Sequence, residues 1–343
     1  MIYGATGYVG KMVVKLAIEQ GIAPLILASR NGDVRDLARQ YGLEYRIFNL
    51  ENPFVINKML DDISVVVNLA GPFSKTTMHL VNSVIRTKAN YLDIAGEIPE
   101  FQILERLDEE AKEAGSMLMP GVGFGVVPTD LMAQYMKAQM PDAQRLVLAY
   151  VTKGSASQGS LKTVLMDLLT SGFTRKNGVL EPINPAQEIF EFTFEGKKYK
   201  THTNQWRADI VSAYRTTEGT IPNIETYMHY PWLLVKLMKH IRYFNRLWKN
   251  EYIQWLISRV PEGPSAKQLA AGSTIIYGRV ENGSEVKEAV MTGPEAYVFT
   301  AQSIVNIMKR VAKLDYKTGF QTPAGLYGKS LLESLKDVKI VDL

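Results

Sequence analysis

The first ten residues constrain the fold of this chain more than any other stretch. Met1-Ile2-Tyr3 runs into Gly4-Ala5-Thr6-Gly7-Tyr8-Val9-Gly10, and an apolar-periodic segment follows from Lys11 to Glu19. Met12, Val13, Leu16 and Ala17 recur at the spacing of one helix face. Strand, glycine turn and helix in that order is the context in which a dinucleotide is held. Glycines let the backbone turn sharply and approach a diphosphate, and the helix N-terminus offers N–H groups and partial positive charge to it. Gly4, Ala5, Thr6, Gly7, Tyr8, Val9 and Gly10 are therefore candidate cofactor contacts. The spacing is G-x-x-G-x-x-G, so the triplet by itself also fits a tight turn with no ligand. Three residues are few for a strand of about five or six, which leads us to expect a first strand that begins upstream or is cut short.

The alternation continues. Pro24 to Ser29 reads as a second strand ending Ala28-Ser29-Arg30-Asn31. Sites for NAD usually carry Asp or Glu here, against the ribose 2′-hydroxyl. Ser29 and Arg30 stand there instead, and a guanidinium pairs with a 2′-phosphate that a carboxylate would repel. The expected cofactor is NADP(H), with Asp33 leaving some use of NAD open and a plain surface role for Arg30 as the other reading. Tyr45 to Phe48 is a third strand, followed by Asn49 as an adenine contact. Ser64 to Leu69 is a fourth, buried on both faces. Ala70, Gly71 and Pro72 follow it, at the carboxyl end of a strand where a doubly wound sheet holds its ligand; a rigid turn is the alternative. A fifth strand is expected from Tyr91 to Glu97. Tyr91, Asp93 and Glu97 are the candidates for proton handling, with Glu97 facing the cleft, and Lys75 is a weaker one. Asp93 and Glu97 fit equally well as acceptors for loop amides.

Composition sets limits. A chain of 343 residues suggests two domains. An excess of 39 basic over 35 acidic residues is too small to suggest dedicated nucleic-acid binding. Without cysteine there is no thiolate catalysis, and the 4 histidines have no metal-binding spacing, so no metal is expected. No apolar run reaches the ~18 residues of a membrane span, and no signal peptide is visible, so a cytoplasmic location is expected.

Beyond Asp130 the character changes. Thr129 or Asp130 is expected to cap a helix over 131–137. Strands are expected over 145–152, 188–194, 198–203, 210–215, 223–230, 274–281 and 286–292, and helices over 160–170 and 296–312. Phe190, Phe192 and Phe194 alternate as one buried sheet face would, and Gly196 marks a hairpin. Between Pro231 and Arg259, apolar residues including Trp248 and Trp255 recur at helical spacing opposite Lys and Arg, which suits a peripheral membrane or lipid contact, or a helix packed on its own sheet. The expected fold is α/β: a Rossmann-type doubly wound parallel sheet (1–130 with 315–343) plus a second α/β domain with a mainly antiparallel sheet (131–314).

Six phrases in order, IYGATGYVG (2–10), NLAGPF (68–73), YLDIAGE (91–97), PGVGFGVVPTDL (120–131), GPSAKQLAAG (263–272) and GFQTPAGLYGKSLL (319–332), make the chain resemble the saccharopine dehydrogenase-like oxidoreductases, in particular their trans-acting enoyl reductase branch. The resemblance implies an NADP-binding domain, Gly4, Gly7 and Gly10 at the phosphates, Arg30 at the 2′-phosphate, Gly71 and Pro72 at the nicotinamide, and a second domain whose sheet makes a homodimer. It implies reduction of a small-molecule or acyl-chain substrate, such as a polyketide or fatty-acyl enoyl group. Gly125 and Val126 stand where relatives often carry Asp followed by Ser or Pro, which removes a polar contact a saccharopine-like substrate would use. An imine or amino-acid reductase, and a non-catalytic NADPH-binding scaffold or sensor, remain as alternatives.

Overall fold

The computed structural model describes residues 1–154, 157, 172–184, 186–204, 207–240, 259 and 261–343. They form two compact units, Met1–Val127 with Phe299–Leu335, and Pro128–Val298 with Lys336–Leu343. The chain thus re-enters the first unit at Phe299, earlier than residue 315, and its last eight residues belong to the second.

The first unit alternates strand and helix: β1 (Ile2–Tyr3), α1 (Tyr8–Glu19), β2 (Ile26–Ser29), α2 (Val34–Tyr41), β3 (Glu44–Ile47), α3 (Pro53–Leu60), β4 (Val65–Asn68), α4 (Phe73–Thr87), β5 (Asn90–Asp93), α5 (Ile98–Arg106), α6 (Asp108–Ala114) and β6 (Met117–Met119). Its seven strands, ordered β15-β6-β5-β4-β1-β2-β3 with β15 at Gly319–Phe320, pair in parallel. The order reverses between β1 and β4, the switch point where such sheets bind ligands. β1 is only two residues long, yet it pairs on both sides, Ile2 with Leu27 and Val67. Met1 extends the ladder by accepting the Val67 N–H at 2.9 Å. α1 buries Gly10, Val13, Val14 and Ala17. The returning segment adds β15 beside β6, where the Phe320 N–H donates to Asp108 at 2.7 Å.

In the second unit α7 (Val127–Gln139) leads to β7 (Arg145–Lys153), β8 (Gly172–Lys176), β9 (Val179–Ile183), β10 (Ile189–Phe194), β11 (Lys197–Thr203), α8 (Asp209–Thr216), β12 (Asn223–Met228), α9 (Trp232–His240), α10 (Ala266–Ala271), β13 (Ser273–Glu281), β14 (Val286–Pro294), the start of α11 (Ala296–Ala312) and, after α12 (Pro323–Ser334) of the first unit, β16 (Lys339–Asp342). The main sheet path is β10-β11-β12-β7-β13-β14-β16, and only β12 and β7 pair in parallel.

Two expectations are corrected here. Residues 210–215 form helix α8, not a strand. β-branched Ile210 and Val211 give the segment a strand-like look, but Ser212 and Thr216 are four apart, and both hydroxyls donate to the Asp130 carboxylate at 2.7 and 2.6 Å, which only a helix allows. Thr129 and Asp130 do not stand ahead of a helix over 131–137 either. They lie inside α7, buried, and Thr129 donates instead to Asp209 on α8. The expected helix over 160–170 and most of the amphipathic stretch beyond His240 lie outside the described residues.

The alternating phenylalanines do share a face. A flat sheet would hold β10 about 19 Å from β13, four strands away at ~4.8 Å each. Yet Phe192 stacks on Tyr277 with centroids 4.7 Å apart, and Phe190 lies 5.4 Å from both Tyr227 and Tyr277. The β10–β11 hairpin, turned at Glu195-Gly196 with both φ positive, curls over the sheet and closes a core with Val147, Ala149 and Val151. The opposite face takes α7: a Cβ on Gly278 would lie 2.7 Å from Met132 Sδ. Phe192→Ala should therefore cost about 3–5 kcal/mol by opening this seam, read as a lowered urea midpoint at unchanged m-value.

Candidate functional site

The turn after β1 is assembled from close backbone contacts. Gly4 has φ +87°, and a Cβ there would sit 2.8 Å from Ala70 N. Only glycine lets the exit of β1 lie against the exit of β4. Gly10 lies where a Cβ would come 2.6 Å from Ala5 O, so it is what allows α1 to press onto the turn. Gly7 is different. Its φ of −69° suits any residue, and a Cβ would meet only Gly4 O, at 3.4 Å. Nothing in the protein requires glycine there. Gly7 is also the N-cap of α1, with no side-chain capping bond and no acidic residue in the first turn. An uncapped N-terminus approached over a bare glycine is what a diphosphate requires.

At the end of β2, Ser29 is buried and its Oγ accepts the Asn31 N–H at 3.2 Å. Arg30 is exposed. Carboxylates on neighbouring elements are engaged elsewhere, Asp36 with Arg39 and Glu44 and Asp62 with Arg46, and among the described residues no ion pair reaches Arg30. Asp33 precedes α2 without a side-chain capping bond. Asn49, exposed after β3, exchanges hydrogen bonds with Glu51 in a local turn.

The strand ends beyond the switch point are tied by buried polar groups. Asn68, the last residue of β4, donates to Thr76 Oγ1 and to the Tyr91 hydroxyl, both at 3.0 Å, and its Oδ1 accepts the Ala70 N–H at 3.1 Å. Thr76 Oγ1 donates to Ala70 O at 2.8 Å. The loop Ala70-Gly71-Pro72 is thus held from below, while Gly71 and Pro72 themselves are exposed. β5 ends at Asp93 rather than at Glu97. Asp93 Oδ1 accepts the Ala95 N–H at 2.9 Å and the Gly121 N–H at 3.0 Å, and the Asp93 carbonyl accepts from Val122 at 2.7 Å. Burial pushes the Asp93 carboxyl up to about 7, against the two amides and the Tyr91 hydroxyl, and the charge of Glu97 adds to the rise. Tyr91 is likewise buried, and its hydroxyl is held protonated. Glu97 is the N-cap residue of α5 and accepts the Gly96 N–H at 2.8 Å, the amide-bonding role that the sequence left open.

Sequence reasoning missed Asn68, Thr76, Gly121 and Glu100. Glu100, in the first turn of α5, is buried and raised by that burial and by Glu97, with Oε2 unpartnered among the described residues. An acidic residue near a helix N-terminus carries no sequence signal that separates it from ordinary dipole pairing. Among the described residues no group of three His, Asp or Glu side chains could hold a metal.

An open parallel sheet with a glycine turn at its switch point defines a dinucleotide-binding unit. Residues 1–119 match the family model described as the saccharopine dehydrogenase NADP binding domain, and this part of the chain is an NADP-binding domain of that kind. The chain is 27% identical over 139 residues to the trans-acting enoyl reductase of Mycobacterium leprae, covering 38% of this chain and 33% of that protein. To the saccharopine dehydrogenase-like oxidoreductase of Mus musculus it is 24% identical, over 46% of this chain and 42% of the relative. The chain thus spans less than half the length of these relatives. Its fold is that of saccharopine dehydrogenase (L-Glu forming) from Saccharomyces cerevisiae, with a TM-score of 0.69 at 14% identity, covering 100% of this chain and 99% of that one. The resemblance read from the six sequence phrases is borne out.

Two outcomes follow. Gly7→Ala should fold with stability within about 0.5 kcal/mol of wild type but bind NADPH about tenfold more weakly by fluorescence titration, whereas Gly10→Ala should lose about 1–3 kcal/mol by overpacking. Asp93 has a folded-state pKa raised from 3.8 to about 7. Its contribution to stability is complete below pH ~4, declines as pH rises through that window and is constant above it. Denaturation across pH 4–7 should show a decline on the order of 4 kcal/mol that Asp93→Asn removes.

Proposed function

We propose that this chain is an NADPH-dependent oxidoreductase that reduces a hydrophobic enoyl substrate of polyketide or fatty-acyl type. The observation that carries the redox reading is the N-terminus of α1 above Gly7, uncapped by any side chain among the described residues, together with the Arg30 guanidinium after β2, which no ion pair among them reaches. Amides of the first turn of α1 hold the diphosphate and Arg30 selects the phosphorylated ribose. Ser29 supports the loop that carries Arg30. Asn49 offers its backbone beside the adenine, since its side chain is bound to Glu51. The loop Ala70-Gly71-Pro72 supports the nicotinamide half.

When bound, the cofactor supplies a hydride; the chain must orient the acceptor and supply one proton. Glu97 is partly exposed just beyond the end of β5 and is assigned the handling of that proton. Asp93 and Tyr91 are fully buried and act through their neighbours. The enoyl preference rests on the relatives named as enoyl reductases and on Gly125-Val126, which offer no polar side chain to an amino-acid substrate. Contact with an acyl chain or lipid surface is supported by α9, where Trp232 and Leu233 are 69% and 65% exposed with the Lys236 ammonium 4.8 Å from the Trp232 ring. No helix among the described residues is long and apolar enough to cross a membrane.

Titration with NADPH and NADH, followed by NADPH oxidation with enoyl thioesters and with an α-keto acid plus amine, tests the reading. Arg30→Asp should weaken NADPH about tenfold or more and NADH little. Equal losses remove Arg30 from its role. Turnover only with keto acid and amine favours the imine reductase, and tight binding without turnover favours a scaffold or sensor.

A further inference from the structure

Asp93 occupies an unusual place in the first unit. It is fully buried at the end of β5, and one oxygen is saturated by two backbone amides from different loops. Its other oxygen, Oδ2, lies beyond ordinary hydrogen-bond distance of every donor among the described residues, with the neutral Tyr91 hydroxyl as the polar group beside it. No Lys or Arg among them pairs with it. It sits among buried polar contacts beneath three adjacent strand exits: Gly121 after β6 bonds to Asp93 on β5, and Tyr91 on β5 bonds to Asn68 on β4, which holds the Ala70 amide. These are the strand ends on which the nicotinamide half of a dinucleotide rests in this kind of sheet. A carboxylate used only for structure needs none of that isolation, because a neutral Asn accepts from the same two amides.

We propose that Asp93 is a positioning residue that sets the redox preference of the cofactor site: its carboxylate, uncompensated by any cation beneath the strand ends, favours NADP⁺ over NADPH. The inference rests on the reading of the unit as an NADP site. The two cofactor forms carry the same phosphates and ribose. They differ at the ring, where the oxidised form bears a positive charge, so the ratio of their affinities isolates the ring. Charges in a poorly solvated interior interact over several ångströms with little screening. The ionised Asp93 carboxylate therefore binds the cationic ring better than the neutral one, and protonation removes the difference. The elevated carboxyl described above places that change near neutral pH. The other titratable groups acting on it are Tyr91 on its own strand and Glu97 at the start of α5, to which Glu100 is in turn coupled. The groups facing these contacts from α4 are the neutral hydroxyls of Thr76 and Thr77.

The test is the dissociation constant of NADP⁺ and of NADPH for the whole chain from pH 5.5 to 8.5, by calorimetry and by fluorescence, with no substrate present. The ratio Kd(NADPH)/Kd(NADP⁺) should rise at least threefold with pH in the wild type. It should be flat in Asp93→Asn, and should keep its rise in Glu100→Gln. Both forms bound with a ratio independent of pH, or a rise that survives in Asp93→Asn, overturns the role of Asp93 and leaves the NADP reading standing. Failure of the wild type to bind either form removes both. The wild-type profile decides even if a variant folds poorly.

Discussion

The first unit depends on three backbones meeting at one point. The exit of β1, the exit of β4 and the first turn of α1 approach so closely at Gly4 and Gly10 that a single methyl group at either position would overlap main-chain atoms. That crowding aims the N-terminus of α1 along the crevice between β1 and β4, at the position where the strand order reverses. At Gly7 a side chain would meet only Gly4 O, while Gly4 and Gly10 take up the steric demand. In the parallel sheet β1 has a strand on each side, Ile2 pairing with Leu27 and with Val67.

From that point the surface at the strand ends extends in two directions with different chemistry. Toward β2 it is open and cationic, with Arg30 exposed and unpaired among the described residues. Toward β4, β5 and β6 it rests on buried hydrogen bonds, Asn68 to Tyr91 and Thr76, and Asp93 to Ala95 and Gly121. An exposed guanidinium suits recognition of a solvated phosphate, while the buried bonds of Asn68 and of one Asp93 oxygen fix loop backbone. The polar side chains of the second group are largely structural in their contacts, yet they determine where the exposed loop Ala70-Gly71-Pro72 lies.

The second unit is organised by aromatic packing and by one helical pair. Phe190 and Phe192 bring the β10–β11 hairpin over the sheet, so one face is covered by the sheet's own edge and the other by α7. Buried Asp130 and Asp209 then join α7 to α8 through hydroxyl donors from both helices. Burying carboxylates in this way is stabilising only when their oxygens are satisfied, and the four-residue spacing of Ser212 and Thr216 supplies two donors to one of them.

Local pattern alone determined much of this protein. Glycine spacing, the apolar face of α1 and the run of buried strands were legible because each is a short-range property of neighbouring residues, and they suffice for a Rossmann-type unit. The alternation of Phe190, Phe192 and Phe194 likewise announced one sheet face. Only the tertiary structure decided the rest. It made residues 210–215 a helix because Asp130, some eighty residues earlier, accepts from both hydroxyls. It ended β5 at Asp93, because Gly121 after β6 bonds to that carboxyl. It also divided the three acidic side chains of that region into a buried clamp, an N-cap and an unpartnered carboxyl. The physical reason is common to all: which polar group meets which partner depends on contacts between residues far apart in the chain, and no periodicity encodes them.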